Sequence, residues 1–159
     1  MTIKIGDRLP STEFKTMTAE GPRPMTTEDI FKGRKVALFG VPGAFTPTCS
    51  AKHLPGFLAQ YEELKAKGVD QIACVSVNDV YVMAAWGKDQ NAGDKVLMLA
   101  DGNGDFARAI GLEVDFKQYG MGTRCKRFSL LADNGVVKVL NVDESGFKTT
   151  SAEHLLTQI

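Results

Sequence analysis

The chain has 159 residues, and we expect residues 1–159 to form one domain with its own hydrophobic core. Its 19 basic and 19 acidic side chains balance, and no basic residues gather on one face, which excludes an electrostatic footprint for nucleic acid or an anionic membrane. No apolar run approaches the roughly 18 residues that span a bilayer, so a small neutral partner is the better expectation.

The first half of the chain predicts a helical turn, a buried strand and a long helix. Residues 26–33 are typical of the turn, and residues 35–41 are a short apolar run bounded by glycine and proline, as in a buried strand. The long helix begins at Pro47, and its apolar side chains recur at helical spacing as far as the basic residues and glycine at 65–68. Pro55 lies inside this helix and is expected to kink it.

The second half alternates strands with helices and ends in a hairpin and a helix. Asn134 and Gly135 form a strong hairpin signal, and the sequence from Thr150 to Glu153 is a capping box that opens the last helix. The predicted strand–helix units and hairpin strands cover 71–77 and 79–88, 95–100 and 105–110, and 127–132 and 136–142. This order predicts an α/β protein with a central mixed β-sheet, a C-terminal antiparallel hairpin and flanking helices, the form of a thioredoxin-like fold.

The three cysteines, Cys49, Cys74 and Cys125, are odd in number and widely spaced. That pattern does not fit a secreted disulfide framework and suits a reducing compartment. The N-terminus has no apolar run like that of a secretory signal, so we expect a soluble, cytoplasmic protein. Cys74 lies inside an apolar strand and is expected to be a buried core thiol.

Cys49 has the surroundings of a reactive thiol. Thr46 is a good N-cap and Pro47 fits the first helical position, which makes Cys49 the third residue of the helix. The unpaired N–H groups and the dipole of a helix N-terminus favour thiolate over thiol, and a thiolate is a nucleophile. The alternative is a small core residue, because free cysteine is among the most buried types. The chain contains no Cys-x-x-Cys, so dithiol exchange lacks its second sulfur.

A thiolate that attacks a peroxide needs a hydrogen-bonding group for the peroxide oxygens and positive charge for the leaving oxygen. Thr46, one turn before Cys49, can supply the hydroxyl, and the cluster Arg124-Cys125-Lys126-Arg127 can supply a guanidinium. A solvated strand end is an equally good interpretation of that cluster.

Three other patterns resemble known kinds of binding site: a glycine-rich motif, a calcium loop and a cysteine–histidine spacing. Residues 102–107 match Gly-x-Gly-x-x-Ala and residues 101–105 are similar to a calcium loop, but a tight polar turn before a helix explains both. Cys49 and His53 lie four apart, which permits a cysteine–histidine pair or two metal ligands. No third ligand has matching spacing, so we expect no metal and no cofactor, with His53 a structural residue beside the pocket.

The segment from Phe39 to Ser50, FGVPGAFTPTCS, contains Pro-x-x-x-Thr-x-x-Cys and resembles the active-site signature of peroxiredoxins, specifically the peroxiredoxin-5 subfamily with its plant type II members. The likeness covers nearly the whole chain. Its further segments are His53 to Phe57, Val75 to Asp79, Ala85 to Gly87 and Arg127 to Ser129. The resemblance implies a thioredoxin fold and homodimers packed through surfaces near the active site.

The resemblance also implies a thiol peroxidase that reduces hydrogen peroxide and small alkyl hydroperoxides. Cys49 would attack the O–O bond and become a sulfenic acid, while Thr46 would hydrogen-bond the peroxide. Arg127 would polarise the thiolate and the substrate. The expected substrate-binding residues are Pro42, which would shield the pocket, together with Gly43, Thr48 and the lesser candidate Arg124.

One departure from the family pattern sets the expected reductant. Animal members of the subfamily carry a resolving cysteine near the C-terminus, whereas residues 145–151 contain none. The resemblance therefore implies that an outside thiol reduces the sulfenic acid, either glutathione with glutaredoxin or thioredoxin. Cys125 lies two residues from Arg127 and is therefore expected on the same strand face, which makes it a candidate redox thiol, although a bystander is favoured.

Two other function classes remain open from the sequence. A thiol-disulfide oxidoreductase is disfavoured by the missing Cys-x-x-Cys, and a non-catalytic binding or chaperone-like protein would carry the cysteine as a relic.

Overall fold

A computed structural model describes residues 2–159. The strands are β1 Glu13–Thr18, β2 Gly21–Thr26, β3 Lys35–Gly40, β4 Gln71–Ser76, β5 Val96–Ala100, β6 Glu113–Asp115, β7 Thr123–Cys125, β8 Arg127–Asp133 and β9 Val136–Asp143. Seven of them form one sheet in the order β2-β1-β5-β4-β3-β8-β9, and β6 and β7 form a second, two-stranded sheet. Strands β3, β4 and β5 are mutually parallel, while β1, β2, β8 and β9 add antiparallel pairs on either side.

Helices cover both faces of the large sheet. They are α1 Thr27–Phe31, the π-helical segment Cys49–His53, α2 Leu54–Ala59, α3 Tyr61–Ala66, α4 Val80–Asp89, α5 Asp105–Ala109, the 3₁₀ turn Lys117–Tyr119 and α6 Ala152–Leu156. Side-chain caps fix where several of them begin: Thr26 and Asp29 form a capping box at α1, and Asp79 accepts from the Val82 N–H at α4. Within residues 2–159, no helix is long and apolar enough to cross a membrane.

The core consists of two layers, one on each face of the large sheet. Alternate β3 residues point into different layers, since side chains of a strand alternate between the faces of its sheet. The Cys49-side layer contains Phe39, Phe57, Trp86, Cys49 and Cys74. The Cys125-side layer contains Phe14, Phe106, Phe128, Leu38 and Cys125. Burial on both faces explains why the parallel strands are continuous apolar runs in the sequence.

The predicted mixed sheet, with its strand–helix units and late antiparallel hairpin, is confirmed. The structure adds a β1–β2 hairpin and the small β6–β7 sheet, neither of which the sequence predicted. Pro22 and Pro24 hid strand β2, but prolines are tolerated there because β2 lies at the edge of the sheet.

The predicted cap of the last helix was wrong by one residue. Ser151, not Thr150, caps α6, because its side chain accepts from the His154 N–H. The Thr150 hydroxyl instead donates to the Asp143 carboxylate at the end of β9. Thr150 therefore fastens the chain before α6 to the sheet, next to the candidate site.

Candidate active site

The candidate site lies at the carboxyl ends of β3 and β4, where the loop that follows β3 is held by the end of β4. The Asn78 side-chain oxygen accepts from the Ala44 N–H at 3.0 Å and from the Ser76 hydroxyl at 2.6 Å. Phe45 has a φ of 64°, in the left-handed region that non-glycine residues seldom adopt. Phe45 is 53% exposed, so the strained turn presents an aromatic residue at the protein surface.

Thr46 occupies the predicted N-cap position before Pro47, but its side chain does not bond to an N–H of the first helical turn. Its hydroxyl donates to the Gly43 carbonyl oxygen at 2.7 Å, and its own carbonyl accepts from the Ser50 N–H at 2.9 Å. The hydroxyl proton is thus engaged within the loop. The Thr46 oxygen keeps its lone pairs for a hydrogen bond from a ligand hydroxyl.

The helix that begins at Pro47 widens into π-helical geometry over Cys49–His53. The Leu54 N–H bonds to the Cys49 carbonyl, five residues back. Pro55 has no N–H to continue an α-helical ladder at this point, and a π-bulge absorbs such an interruption. The predicted irregularity at Pro55 is present in this form, and Cys49 is the first residue of the widened turn.

Arg127 contacts the Cys49 sulfur. Its Nη2 lies 3.3 Å from Cys49 Sγ and donates to it. Both residues are buried, Cys49 completely and Arg127 with 8% exposure. The guanidinium therefore lies within hydrogen-bonding distance of the sulfur in a site largely closed to solvent. Arg127 is the first residue of β8 and points to the Cys49-side layer, like Ser129 and Leu131 after it.

Arg124 is engaged elsewhere. Its Nε donates to the Met121 carbonyl at 2.9 Å and its Nη1 to the Val77 carbonyl at 3.0 Å. A side chain at Gly43 would stand within 3.5 Å of Arg124 Nη1 and 3.1 Å of Thr46 Cγ2, so glycine suits this crowded turn. Arg124 therefore holds two loops together through backbone carbonyls, whereas Arg127 is the arginine that contacts the Cys49 sulfur.

His53 is completely buried and bonded at both ring nitrogens. Nε2 lies 2.9 Å from the Thr150 carbonyl oxygen, and Nδ1 lies 3.0 Å from Arg127 Nη1. Burial and the neighbouring Arg127 charge lower the pKa of His53 to about 3. The cysteine–histidine pair that the spacing permitted is not formed, because the ring bonds to Arg127 and Thr150.

Asp143 is hydrogen-bonded to the residues that follow strand β9, and we term residues 143–150 the Asp143 loop. Its carboxylate accepts from the Lys148 and Thr149 N–H groups and from the Thr149 and Thr150 hydroxyls at 2.8–3.1 Å. Burial alone would raise the pKa of Asp143, but these hydrogen bonds lower it on balance. This role of Asp143 could not be predicted from the sequence, since its partners follow on an irregular loop.

A mainly apolar groove of about 440 Å³ opens beside the Arg127–Cys49 pair. Its walls come from the loop after β3, the β6–β7 region and the Asp143 loop. The lining residues are Pro42, Thr46, Pro47, Thr48, Val114, Phe116, Tyr119, Met121, Lys126, Arg127, Asp143, Glu144, Ser145 and Gly146. Cys49 lies just beneath this lining, since Arg127 both faces the groove and contacts the sulfur.

The other two thiols do not line the groove. Cys74 is buried on β4, and burial raises the pKa of its thiol well above the usual range. Burial likewise raises the pKa of Cys125, which lies in the opposite core layer from Cys49. The expectation that Cys125 shares a strand face with Arg127 was wrong, because Lys126 separates β7 from β8 and the two strands belong to different sheets. All three cysteines are free thiols.

Residues 2–159 hold no cluster of three or more His, Cys, Asp or Glu side chains arranged to bind a metal ion. The turn at 101–105 has a structural explanation, since the Asp101 carboxylate accepts from the Phe106 and Ala107 N–H groups at the start of α5.

The comparisons with known proteins agree with this geometry. The Redoxin family model matches residues 4–156. Peroxiredoxin-2E-2, chloroplastic, from Oryza sativa subsp. japonica is 53% identical over 161 residues, which cover 98% of this chain and 72% of the relative. Peroxiredoxin-2E, chloroplastic, from Arabidopsis thaliana is 48% identical over 160 residues, covering 98% and 68%. The reduced Prx3 from Vibrio vulnificus in complex with H₂O₂ has a TM-score of 0.95 at 48% identity and covers 99% of both chains.

These comparisons confirm the thioredoxin-like fold class and correct one expectation. The cytoplasmic location expected from the cysteine count and the N-terminus was wrong, because two relatives that match 98% of the chain are chloroplastic proteins. A reducing compartment with no secretory signal does not single out the cytoplasm, and the cysteine pattern is equally compatible with a plastid.

Proposed function

The chain belongs to the peroxiredoxin family and is a thiol peroxidase, and from this premise we propose that Cys49 is the residue that attacks the peroxide. The observation that carries the proposal is the 3.3 Å contact between Arg127 Nη2 and Cys49 Sγ beneath the groove. We assign the chain to the peroxiredoxin-5 subfamily with its plant type II members, on the likeness of residues 39–50 and its continuation in residues 53–57, 75–79, 85–87 and 127–129. Residues 1–159 act as a single domain.

The proposed first step forms an S–O bond and breaks the O–O bond. The Cys49 thiolate attacks the terminal oxygen of the peroxide, which keeps its proton and becomes part of the sulfenic acid. The bonding electron pair leaves with the distal oxygen as alkoxide or hydroxide, which takes a proton from solvent. Arg127 donates to the oxygen on which negative charge develops. Thr46, whose own proton is engaged by Gly43, accepts a hydrogen bond from the peroxide hydroxyl.

The remaining site residues shape the approach to the sulfur. Pro42 and Thr48 line the groove and limit water near the thiolate, and Gly43 supplies the carbonyl that orients Thr46. Arg124 contributes by bracing the surrounding loops. The apolar lining supports small alkyl hydroperoxides as substrates alongside hydrogen peroxide.

An external thiol completes the proposed cycle. Cys74 and Cys125 are buried, and the Asp143 loop carries no cysteine. A first external thiol condenses with the sulfenic acid, which forms a mixed disulfide with Cys49 and releases water. A second external thiol then attacks this mixed disulfide, which forms a disulfide between the two external thiols and releases Cys49 as a thiolate. We propose glutathione with glutaredoxin as the reductant, with thioredoxin as the alternative, and Cys125 as a bystander.

The exposed rings of Phe45 and Tyr119 support a homodimer that covers the rim of the groove.

Stopped-flow peroxide consumption tests this function. The intact protein should consume hydrogen peroxide rapidly with either reducing system, and Cys49→Ser should abolish consumption. Cys125→Ser should retain turnover and form no intramolecular bond, as checked by mass spectrometry of peroxide-treated protein. Unchanged consumption by Cys49→Ser would overturn the assignment, and rapid insulin disulfide reduction would point to a thiol-disulfide oxidoreductase instead.

A further inference from the structure

His53 is a buried polar side chain, and the proposed peroxidase reaction does not use it to transfer a proton. It lies in the π-helical segment, four residues after Cys49, and both of its ring nitrogens are bonded. One bond goes to the Thr150 carbonyl and the other to Arg127, so the ring joins the Asp143 loop to the cation that contacts the sulfur.

The partners fix which nitrogen carries the hydrogen. A backbone carbonyl only accepts hydrogen bonds, so His53 Nε2 donates to Thr150 at 2.9 Å. Nδ1 then has a free lone pair and accepts from Arg127 Nη1 at 3.0 Å. A second proton would sit on Nδ1 and point at the guanidinium. The charged groups around the ring are Arg127 from β8 and Asp143 from the end of β9, with Cys49 on the same helix.

We infer that His53 is a positioning residue that holds the Arg127 guanidinium against Cys49 by accepting one of its N–H groups. The inference rests on the proposed role of Arg127. A guanidinium is a planar fork, so fixing Nη1 on His53 also fixes the direction of Nη2 toward the sulfur. The Phe147 ring packs beside both groups, 5.1 Å from the His53 ring centre and 5.9 Å from Arg127 Cζ.

A neutral acceptor has an advantage over a carboxylate at this position. Among the ion pairs of residues 2–159, none includes Arg127, so no carboxylate lies within 4.0 Å of its guanidinium. An aspartate in the place of His53 would orient Arg127 equally well but would offset its charge. His53 orients the cation and leaves its whole charge to act on the sulfur and the peroxide.

The Asp143 loop supports His53 from behind. Asp143 accepts from the Thr150 hydroxyl at 2.8 Å and from the Lys148 and Thr149 N–H groups, which fixes the backbone around the Thr150 carbonyl. The carbonyl in turn selects the Nε2–H form of the ring. The sequence positions involved are far apart, so the support exists only in the folded chain.

Two variants of His53 test the inference. His53→Leu removes the acceptor, and we expect the rate constant of Cys49 with hydrogen peroxide to fall by about tenfold or more, because Arg127 loses its fixed direction. The midpoint of the thiolate titration, followed by absorbance near 240 nm, should rise, because the cation is no longer held at the sulfur. His53→Asn keeps an acceptor and a donor but has no titrating proton, and it should recover most of both quantities. His154→Leu on α6 is the matched control and should change neither.

A double-mutant comparison and an NMR measurement complete the test. In an Arg127→Ala background, His53→Leu should have no further effect on the titration midpoint, and a further shift would overturn the inference. So would a wild-type rate and midpoint in His53→Leu, or a folded His53→Asn protein as slow as His53→Leu. If His53→Leu does not fold, ¹⁵N NMR of the unmodified protein decides: Nε2 should carry the hydrogen, and the opposite form would refute the inference. The titration and NMR readouts need no turnover, so they are independent of whether Cys49→Ser abolishes peroxidase activity.

Discussion

At the scale of single residues, the site depends on one cation shared between a sulfur and an imidazole. Arg127 uses Nη2 for Cys49 and Nη1 for His53, and only the fork of a guanidinium reaches both. Cys49 and Thr46 entered the proposed site on the sequence, because they stand three residues apart in one motif. The residues alone did not choose between Arg124 and Arg127, because the choice depends on which side chain points to the Cys49-side layer, and only the resemblance favoured Arg127.

Removing or replacing Arg127 should separate the effect of charge from that of geometry. Arg127→Ala should slow oxidation of Cys49 by about a hundredfold and raise the thiolate titration midpoint, because a fixed cation near the sulfur is lost. Arg127→Lys keeps the charge but lacks the fork, so an intermediate rate is expected. Stopped-flow oxidation and absorbance titration measure the two quantities. Arg124→Ala is the comparison variant, and an equal shift of the midpoint in it would contradict the assignment to Arg127.

The depressed pKa of His53 makes folding stability depend on pH. The pKa is about 3 in the folded chain and about 6.5 in the unfolded chain, so the unfolded state binds the extra proton first as pH falls. The contribution of neutral His53 is complete above about pH 6.5 and is lost as pH falls toward about 3. Between about pH 7 and 5 the free energy of unfolding should drop by about 2 kcal/mol from this group.

Urea unfolding at the two pH values measures that drop. In His53→Asn this part of the pH dependence should be absent, because an amide does not titrate in this range. The same slope in both proteins would show that the imidazole is not buried in its neutral form.

At the scale of elements, the active-site helix is tied to α4 by one hydrogen bond. Trp86 Nε1 donates to the Ser50 hydroxyl at 3.0 Å, and Trp86 is completely buried. Sequence periodicity predicted both helices but not this bond, since the two residues lie on different elements. Periodicity also missed β1 and β2, because a hairpin whose second strand contains two prolines has no clear alternation. The widening over Cys49–His53 follows from Pro55, whose effect on the helix was foreseen only as a kink.

Ser50→Ala should therefore weaken the junction between these two helices. The Trp86 N–H would lose its partner in the core, which costs about 1–2 kcal/mol of unfolding free energy. The chain has one tryptophan, so its emission spectrum should also change. Denaturant unfolding followed by fluorescence measures both effects. Ser11→Ala, at an exposed serine, is the matched control, and identical behaviour of the two variants would contradict the prediction.

At the scale of the whole molecule, the site is built where the two core layers meet the carboxyl ends of β3 and β4. The pairing of β3 with β8 places Gly40 opposite Phe128, next to Arg127. The apolar run at 35–41 and the hairpin signal at Asn134-Gly135 were sufficient to predict both strands. Their pairing across the sheet could not be predicted, because it depends on contacts about 90 residues apart in a sheet of mixed direction.

Gly40→Ala should disturb both the core and the site. A Cβ at Gly40 would overlap the buried ring of Phe128, which has little room to move, and overpacking of this kind costs about 1–3 kcal/mol. Displacement of Phe128 should carry Arg127 with it and slow Cys49 oxidation. Urea unfolding and stopped-flow oxidation check the two effects. Gly102→Ala is the control, since its added Cβ meets only ordinary contacts from 3.6 Å. Wild-type stability in Gly40→Ala would contradict the prediction, because it would mean that β8 moves away from the added methyl group without cost.

The burial of Cys74 and Cys125 has a consequence for the proposed catalytic cycle. If the Cys49 sulfenic acid is reduced only by an external thiol, as proposed above, then either an incoming reductant or a second peroxide molecule reacts with it next. The second outcome gives a sulfinic acid, which this chemistry does not reverse. The number of turnovers a molecule completes before inactivation is then decided by the supply of thiol relative to the flux of oxidant.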